Sequence, residues 1–344
     1  MQPHRAHSQP HAPTPARKPG GGGFYRLAGK GLLALLIAAG GAFAVYRAVA
    51  LITGAEPEPK RVIEAPIRDA EWLQLVEDLE KASRAYRGRV GIYIKDLETG
   101  KSWEYNADRR FPSASLIKVP IMAAVFESIR AGQLSLDTQI KLTRGLRVGG
   151  SGSLKWVREG TSLSVMEIIY KMITESDNTA TKMLIDAVGM DYLSGAFREM
   201  DLEQTNITPE GMSLSSRPVR RENYTTAREM GGLMERIYAG KLVDREASEF
   251  MLDVLKHTKS RSRLRRGLPL GWEIGHKTGL LRKACHDVGV VFSPRGDFVI
   301  AVLTAEVPSY ASAKTFIARV AKLTYKYYKI DADFAGGPGP GRAG

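Results

Sequence analysis

The sequence predicts an α+β domain carrying a helical insertion, and three observations lead there. Alternating apolar segments lie near both ends of the chain, at residues 89–108 and 288–304. Segments with apolar residues at helical spacing fill the interval from 115 to 255, and further helices flank the strand-like ends. At 43% hydrophobic and 25% charged residues, the composition is that of a folded globular protein, not of a disordered or fibrous one.

Taken in order, the front of the chain is a separate problem. Residues 1–27 are rich in Pro, His and Gly and carry Arg5, Arg17, Lys18 and Arg26 without an acid, so they read as a disordered cytoplasmic segment. Residues 28–53 contain the uncharged run "GLLALLIAAGGAFAVY", which reaches spanning length when extended through Arg47 to Thr53. Arg47 then lies about 9 Å from the outer end, close enough to snorkel. The positive flank places the N-terminus inside, so this segment is expected to be a single membrane anchor with the remainder outside the cytoplasm. The alternative is a cleaved signal peptide, since "AFA" at 42–44 has the small-x-small form of a cleavage site. Residues 54–66 form a proline-stiffened linker, 67–331 the folded domain, and 332–344 a disordered tail.

Within the domain, "DAEWLQLVEDLEKASRAY" (69–86) reads as an amphipathic helix and 89–108 as a β-hairpin turning at "ETG". "GHKTGLL" and 288–304 are strand-like, the latter turning at "SPRGD", and 312–329 is a closing helix. The single cysteine, Cys285, excludes an intrachain disulfide framework and a Cys-rich zinc site, and the six histidines show no ligand spacing, so no metal or cofactor is expected. The net charge of +13 includes a cluster at 256–283, where nine Lys or Arg accompany the single acid Glu273. That cluster is either a solvated basic face or a surface for an anionic partner such as a membrane surface or a cell-wall polymer. No nucleic-acid recognition signature stands beside it.

"FPSASLIKVPIMAA" (111–124) puts a hydroxyl and an ammonium group, Ser115 and Lys118, one turn apart in an apolar helix. Pro120 is tolerated only near a helix start, which fixes that start at about residues 115–117. Ser115 therefore sits where unpaired N–H groups and the helix dipole favour developing negative charge, with Lys118 on the same face. A serine needs a base to become a nucleophile, and a desolvated lysine near other cations can be one. Taken alone, the pair is equally a helix cap beside a solvated lysine. Two more motifs follow: Ser176-Asp177-Asn178, within an otherwise apolar-periodic helical region 61 positions after Ser115, and Lys277-Thr278-Gly279, at the start of a strand-like run 101 positions after Ser176. Three ordered motifs of this kind line one cleft in penicillin-recognising serine enzymes.

On those motifs, and on "GGSGSLKWVREGTSLSVMEIIYKMITESDNTATKMLIDAVG", "NYTTAREMGGLM" and "HDVGVVFSPRGDFVIAVLT", the chain resembles the class A β-lactamases and their relatives over residues 85–330. The resemblance implies a two-lobed fold, an antiparallel sheet flanked by helices beside an all-helical lobe. It implies Ser115 as the acylated nucleophile, Lys118 as its proton acceptor, and Ser176 as the proton donor to the leaving nitrogen. Asn178 would hold Lys118 and the substrate amide. Lys277 and Thr278, with Gly279 beside them, would bind the substrate carboxylate, and the N–H groups of Ser115 and Leu280 would form the oxyanion hole. Asp177 is expected to brace the helical lobe. The family's Glu-x-x-Leu-Asn segment has no full counterpart here. Glu210 in "TPEGM" lies nearest its expected place, flanked by Glu203 and Glu222, and is either the deacylating base or an exposed loop carboxylate.

His286-Asp287 reads as structural, since no G-x-S-x-G elbow accompanies it, and His276 either tunes the charge of Lys277 or caps its strand. Three functions stay open: a membrane-anchored, monomeric β-lactam hydrolase; a D-alanyl-D-alanine peptidase acting on peptidoglycan stem peptides and merely acylated by β-lactams; and a non-catalytic cell-wall-binding module.

Overall fold

A computed structural model describes residues 69–212 and 219–329. The expected cytoplasmic segment (1–27), anchor (28–53), linker (54–66) and tail (332–344) lie outside the described residues. Among the described residues no helix is long and apolar enough to cross a membrane.

The domain begins with α1 (Asp69–Ala85) and the expected hairpin of β1 (Arg89–Asp96) and β2 (Ser102–Tyr105). Those strands join β7 (Glu273–Leu281), β8 (Ala284–Phe292) and β9 (Phe298–Ala305) in one antiparallel sheet of order β2-β1-β9-β8-β7. Strand alternation divides the core. Phe298, Ile300 and Val302 of β9 face α1 and the closing helix α9 (Tyr310–Tyr328), while Val299, Ala301 and Leu303 face the helical part. A one-residue slip would exchange those sets, so burial on both faces fixes the register.

Between β2 and β7 run short β3 (Phe111–Pro112), α2 (Lys118–Arg130), β4 (Gln139–Lys141), β5 (Ser162–Ser164), α3 (Val165–Thr174), α4 (Asn178–Val188), α5 (Met190–Glu199), β6 (Tyr224–Thr225), α6 (Ala227–Tyr238), α7 (Arg245–Lys256) and α8 (Leu264–Gly267). β3 pairs with β6 and β4 with β5. Nearly every residue of α2 is buried, as its sequence, apolar all round, requires of a central helix. The folded domain is thus α+β, an antiparallel sheet with helices on both faces.

Three local expectations are corrected. The helical periodicity through 165–188 is broken at Glu175–Asp177, because the Asp177 side chain caps a new helix. Lys277-Thr278-Gly279 lies in the middle of β7, since pairing with β8 extends the strand back to Glu273. His276 is inside that strand as well, not at its end, and is buried because Asp287 gives it a partner.

Candidate active site

The Ser115 corner is built by a tight turn pressed against a sheet edge. A 3-10 turn, Ala114–Ile117, leads into α2, and Pro120 is the third residue of that helix. Ala114 has φ +46°, left-handed for a residue with a Cβ, so the surrounding contacts must hold it there. Ser113 N–H donates to Asn223 O at 2.7 Å, and His286 Nε2 donates to Pro112 O at 2.7 Å. His286 Nδ1 accepts from Thr304 N–H at 3.1 Å, so both ring nitrogens are occupied and the ring is neutral. Burial brings its pKa down to about 4. His286 thus fastens β8 to the nucleophile turn. Gly279 lets β7 pass close by, because a Cβ there would lie 3.2 Å from Ala114 Cβ.

The second motif is fixed by a buried carboxylate. Asp177 Oδ1 accepts from Ala180 N–H at 2.9 Å, and Oδ2 accepts from Leu154 N–H at 2.8 Å. Gly152, at φ +99°, packs so tightly that a Cβ would sit 2.1 Å from Asp177 Cγ. Asp177 therefore joins the start of α4 to the 150–156 loop, the bracing role expected of it. Ser176, at φ +54°, is turned out of the helical run into the cleft.

The three motifs converge on one hydroxyl. Lys118 Nζ donates to Ser176 O at 2.6 Å, Ser176 Oγ at 3.2 Å and Asn178 Oδ1 at 2.9 Å. Lys277 Nζ donates to Ser176 Oγ at 3.0 Å and Thr278 O at 2.9 Å. Asn178 Nδ2 donates to Gly149 O at 2.9 Å. Burial, and then the positive charge of Lys277, push Lys118 well below the usual lysine range, with Asp177 pulling the other way. Burial and then the Arg263 guanidinium bring Lys277 down to about 7, opposed by Asp287. A lysine so shifted can accept a proton near neutral pH, which a solvated lysine cannot.

A cavity of about 180 Å³ holds Ser115, Lys118, Ser151, Asn178, Met212 and Leu280 on its walls. A wider hollow of about 640 Å³ holds Ser176, Lys277, Thr278 and Lys259, and shares Ser151 with the first. The sequence-predicted residues are thus brought together, with one exception. Glu210 is half-buried, and its Oε2 accepts from Arg221 N–H at 3.0 Å within its own loop. Its neighbours Gly211 and Met212 line the Ser115 cavity, and no carboxylate of the described residues does. Glu203 is exposed, and Glu222 forms a buried ion pair with Arg282 at 2.9 Å.

The site also uses residues that spacing did not reveal. His276 Nδ1 meets Asp287 Oδ1 at 2.8 Å, and Asp287 Oδ2 accepts from Leu264 N–H at 3.0 Å. Arg263 Nε donates to Cys285 Sγ at 3.2 Å, so Cys285 is a buried contact. The Glu222–Arg282 pair ties the Glu210 loop to the β7–β8 turn across 60 positions of sequence, and no local pattern marks a pair that distant. Among the described residues no group of three or more His, Cys, Asp or Glu could hold a metal ion.

The model of the beta-lactamase enzyme family matches residues 74–328, most of this chain. The chain belongs to that family. It is 26% identical to Beta-lactamase VEB-1 of Pseudomonas aeruginosa over 279 residues, 76% of this chain and 92% of that one. It is 30% identical to a beta-lactamase of Streptomyces albus G over 250 residues, 70% of this chain and 78% of that one. Among solved structures, PBP-A superposes with a TM-score of 0.68 at 28% identity, covering 74% of this chain and 95% of that one. A beta-lactamase from Sphaerobacter thermophilus DSM 20745 gives 0.68 at 29% identity, covering 74% and 97%. This family member is a class A β-lactamase-like serine hydrolase with the β-lactamase/transpeptidase fold.

Proposed function

We propose that this hydrolase is tethered to the membrane with its catalytic domain outside the cytoplasm, and that it opens β-lactam rings through an acyl-enzyme on Ser115. The observation that carries the reading is Ser176 Oγ held 3.2 Å from Lys118 Nζ and 3.0 Å from Lys277 Nζ, in hollows that adjoin Ser115. Neutral Lys118 takes the Ser115 proton as Oγ attacks the carbonyl carbon. The oxyanion is met by the N–H groups of Ser115 and Leu280. The C–N bond breaks, and Ser176 gives the nitrogen its proton while drawing one from the lysines beside it. Asn178 Oδ1 keeps Lys118 aimed, and Lys277 with Thr278 and Gly279 receives the substrate carboxylate. Water then attacks the ester, with Glu210 as the base. The tether reading is supported by the positive flank and apolar run of residues 26–53. A protease added to cells with opened walls should reach the catalytic domain while it stays membrane-bound.

The Glu210–Arg221 contact favours a second reading, a D-alanyl-D-alanine peptidase that is acylated by β-lactams and released slowly. A chromogenic cephalosporin separates the two. Both give a stoichiometric burst that Ser115→Ala abolishes. Steady turnover after the burst, lost on Glu210→Gln by about 10²–10⁴-fold, supports the hydrolase. A burst without turnover in the parent protein supports the peptidase. Labelling by penicillin that persists in Ser115→Ala ends both.

A further inference from the structure

We propose that the outer face of α9, together with the 266–272 loop, is a docking surface for an anionic phospholipid bilayer. Arg319, Lys322, Lys326 and Lys329 recur at helical spacing along the last turns of α9, and the first three are exposed. They rim a hollow of about 400 Å³ that also holds Leu323 and Tyr325. The Tyr325 ring meets Trp272 edge to face at 5.2 Å, which carries the apolar surface onto the loop. There Leu270 is 88% exposed and Arg266 is exposed beside α9. Half-buried Leu323 and Tyr325 in the hollow, and exposed Leu270 on the adjoining loop, put apolar surface among these cations. An apolar centre with a cationic rim fits a headgroup layer, where the rings and leucine enter the acyl boundary and the cations meet phosphates. Lys326 lies 3.6 Å from the Asp78 carboxylate at the edge of this face.

The path of the chain points to the same face. Tyr327 Oη donates to Asp78 Oδ2 at 2.8 Å, and Arg295 bridges Glu71 Oε2 at 2.8 Å and Tyr327 O at 3.1 Å. The first turns of α1 therefore lie at the same end of α9 as Lys326 and Lys329. Asp69, the first described residue, opens α1 and so lies at this corner. Docking leaves the cleft free. α9 packs on the sheet face of Phe298, Ile300 and Val302, whereas Leu116 and Ile117, beside Ser115, belong to the core on the opposite face. The inference rests on this face itself, and the tether is a separate matter.

The test uses the full chain with Leu270→Cys carrying a polarity-sensitive fluorophore; the native Cys285 is fully buried and should not react. The probes are vesicles of phosphatidylcholine, alone or with phosphatidylglycerol. The label should shift to an apolar environment only with the anionic vesicles, and high salt should reverse the shift. At about fivefold per charge, neutralising the four cations in R319Q/K322Q/K326Q/K329Q should lower the docked-to-free ratio by about 10²–10³-fold with the cephalosporin burst unchanged. Co-flotation with neutral vesicles reads the tether independently of the label. A chain that floats with both vesicles while its label stays water-like in both overturns the docking surface and leaves the tether standing. A shift caused by soluble poly(glycerol phosphate) but not by anionic vesicles overturns it in favour of a wall polymer.

Discussion

Lys118 is 1% exposed and its Nζ has three partners within 3.2 Å, all from the distant Ser176-Asp177-Asn178 motif, whereas Glu210 is half-buried and accepts one N–H from its own loop. Both are ionisable groups beside one cavity, yet the first is held by the whole fold and the second by its neighbours in sequence. Burial without an anion in contact shifts a lysine toward neutrality, which suits proton transfer. A carboxylate resting on its own loop is free of that constraint, so the loop can change without disturbing acylation. In the mechanism proposed above, acylation would thus rest on groups fixed by distant parts of the chain and deacylation on a local loop contact.

The largest effect should come from the rigid half. Lys118→Ala removes the base, so the burst with a chromogenic cephalosporin should slow by about 10²–10⁴-fold. Lys118→Arg should rescue nothing, because a guanidinium stays protonated. Rescue by arginine would mean that positive charge, and not proton transfer, is what the position supplies.

Asp177 comes next, through folding and not through chemistry. Its truncation leaves the buried N–H groups of Ala180 and Leu154 without an acceptor and removes the α4 cap. Asp177→Ala should cost about 2–4 kcal/mol, a fall of about 5–15 °C in Tm. A loss of burst with Tm unchanged would place Asp177 in the reaction instead.

Lys277 gives a graded effect. Its folded pKa of about 7 lies below the ordinary lysine value, so in the empty site the cation is present below pH 7 and lost as pH rises through it. A substrate carboxylate binds the cation, so kcat/KM should fall tenfold per pH unit above about pH 7. The acid limb belongs to Lys118, which must be neutral to act. Lys277→Arg should remove the alkaline limb. An alkaline limb that survives in that variant assigns the titration elsewhere.

How far the sequence revealed this follows the same division. Period-two segments, and three motifs in the order the family resemblance implies, were enough for the sheet, the helical part and the convergence of Ser115, Lys118, Ser176 and Lys277. Those signals are local: alternation reports a strand face, and Pro120 reports a helix start. The break at Asp177 was hidden because apolar periodicity runs across it, although its cap on Ala180 N–H is local; the bond to Leu154 N–H, 23 positions away, is the part no local pattern marks. His276–Asp287, His286–Pro112 and Glu222–Arg282 were hidden for the same reason, being pairs made by folding. Where the Glu210 carboxylate points depends on a backbone N–H eleven residues away.

The smallest expected change is the most informative about that loop. Glu210→Gln keeps a side-chain oxygen that can still accept from Arg221 N–H, and loses only the charge that strengthened the bond. The residue is half-buried on a surface loop, where water can solvate either form, so the cost should stay below about 0.5 kcal/mol. Tm should move by no more than about 2 °C, and the acylation burst should be unchanged. Under those conditions any loss of steady turnover measures the missing base alone, free of a folding effect. A fall in Tm of more than about 5 °C, or a weaker burst, would show that the loop supports the Ser115 corner after all, and the two halves of the site would have to be treated as one cooperative unit.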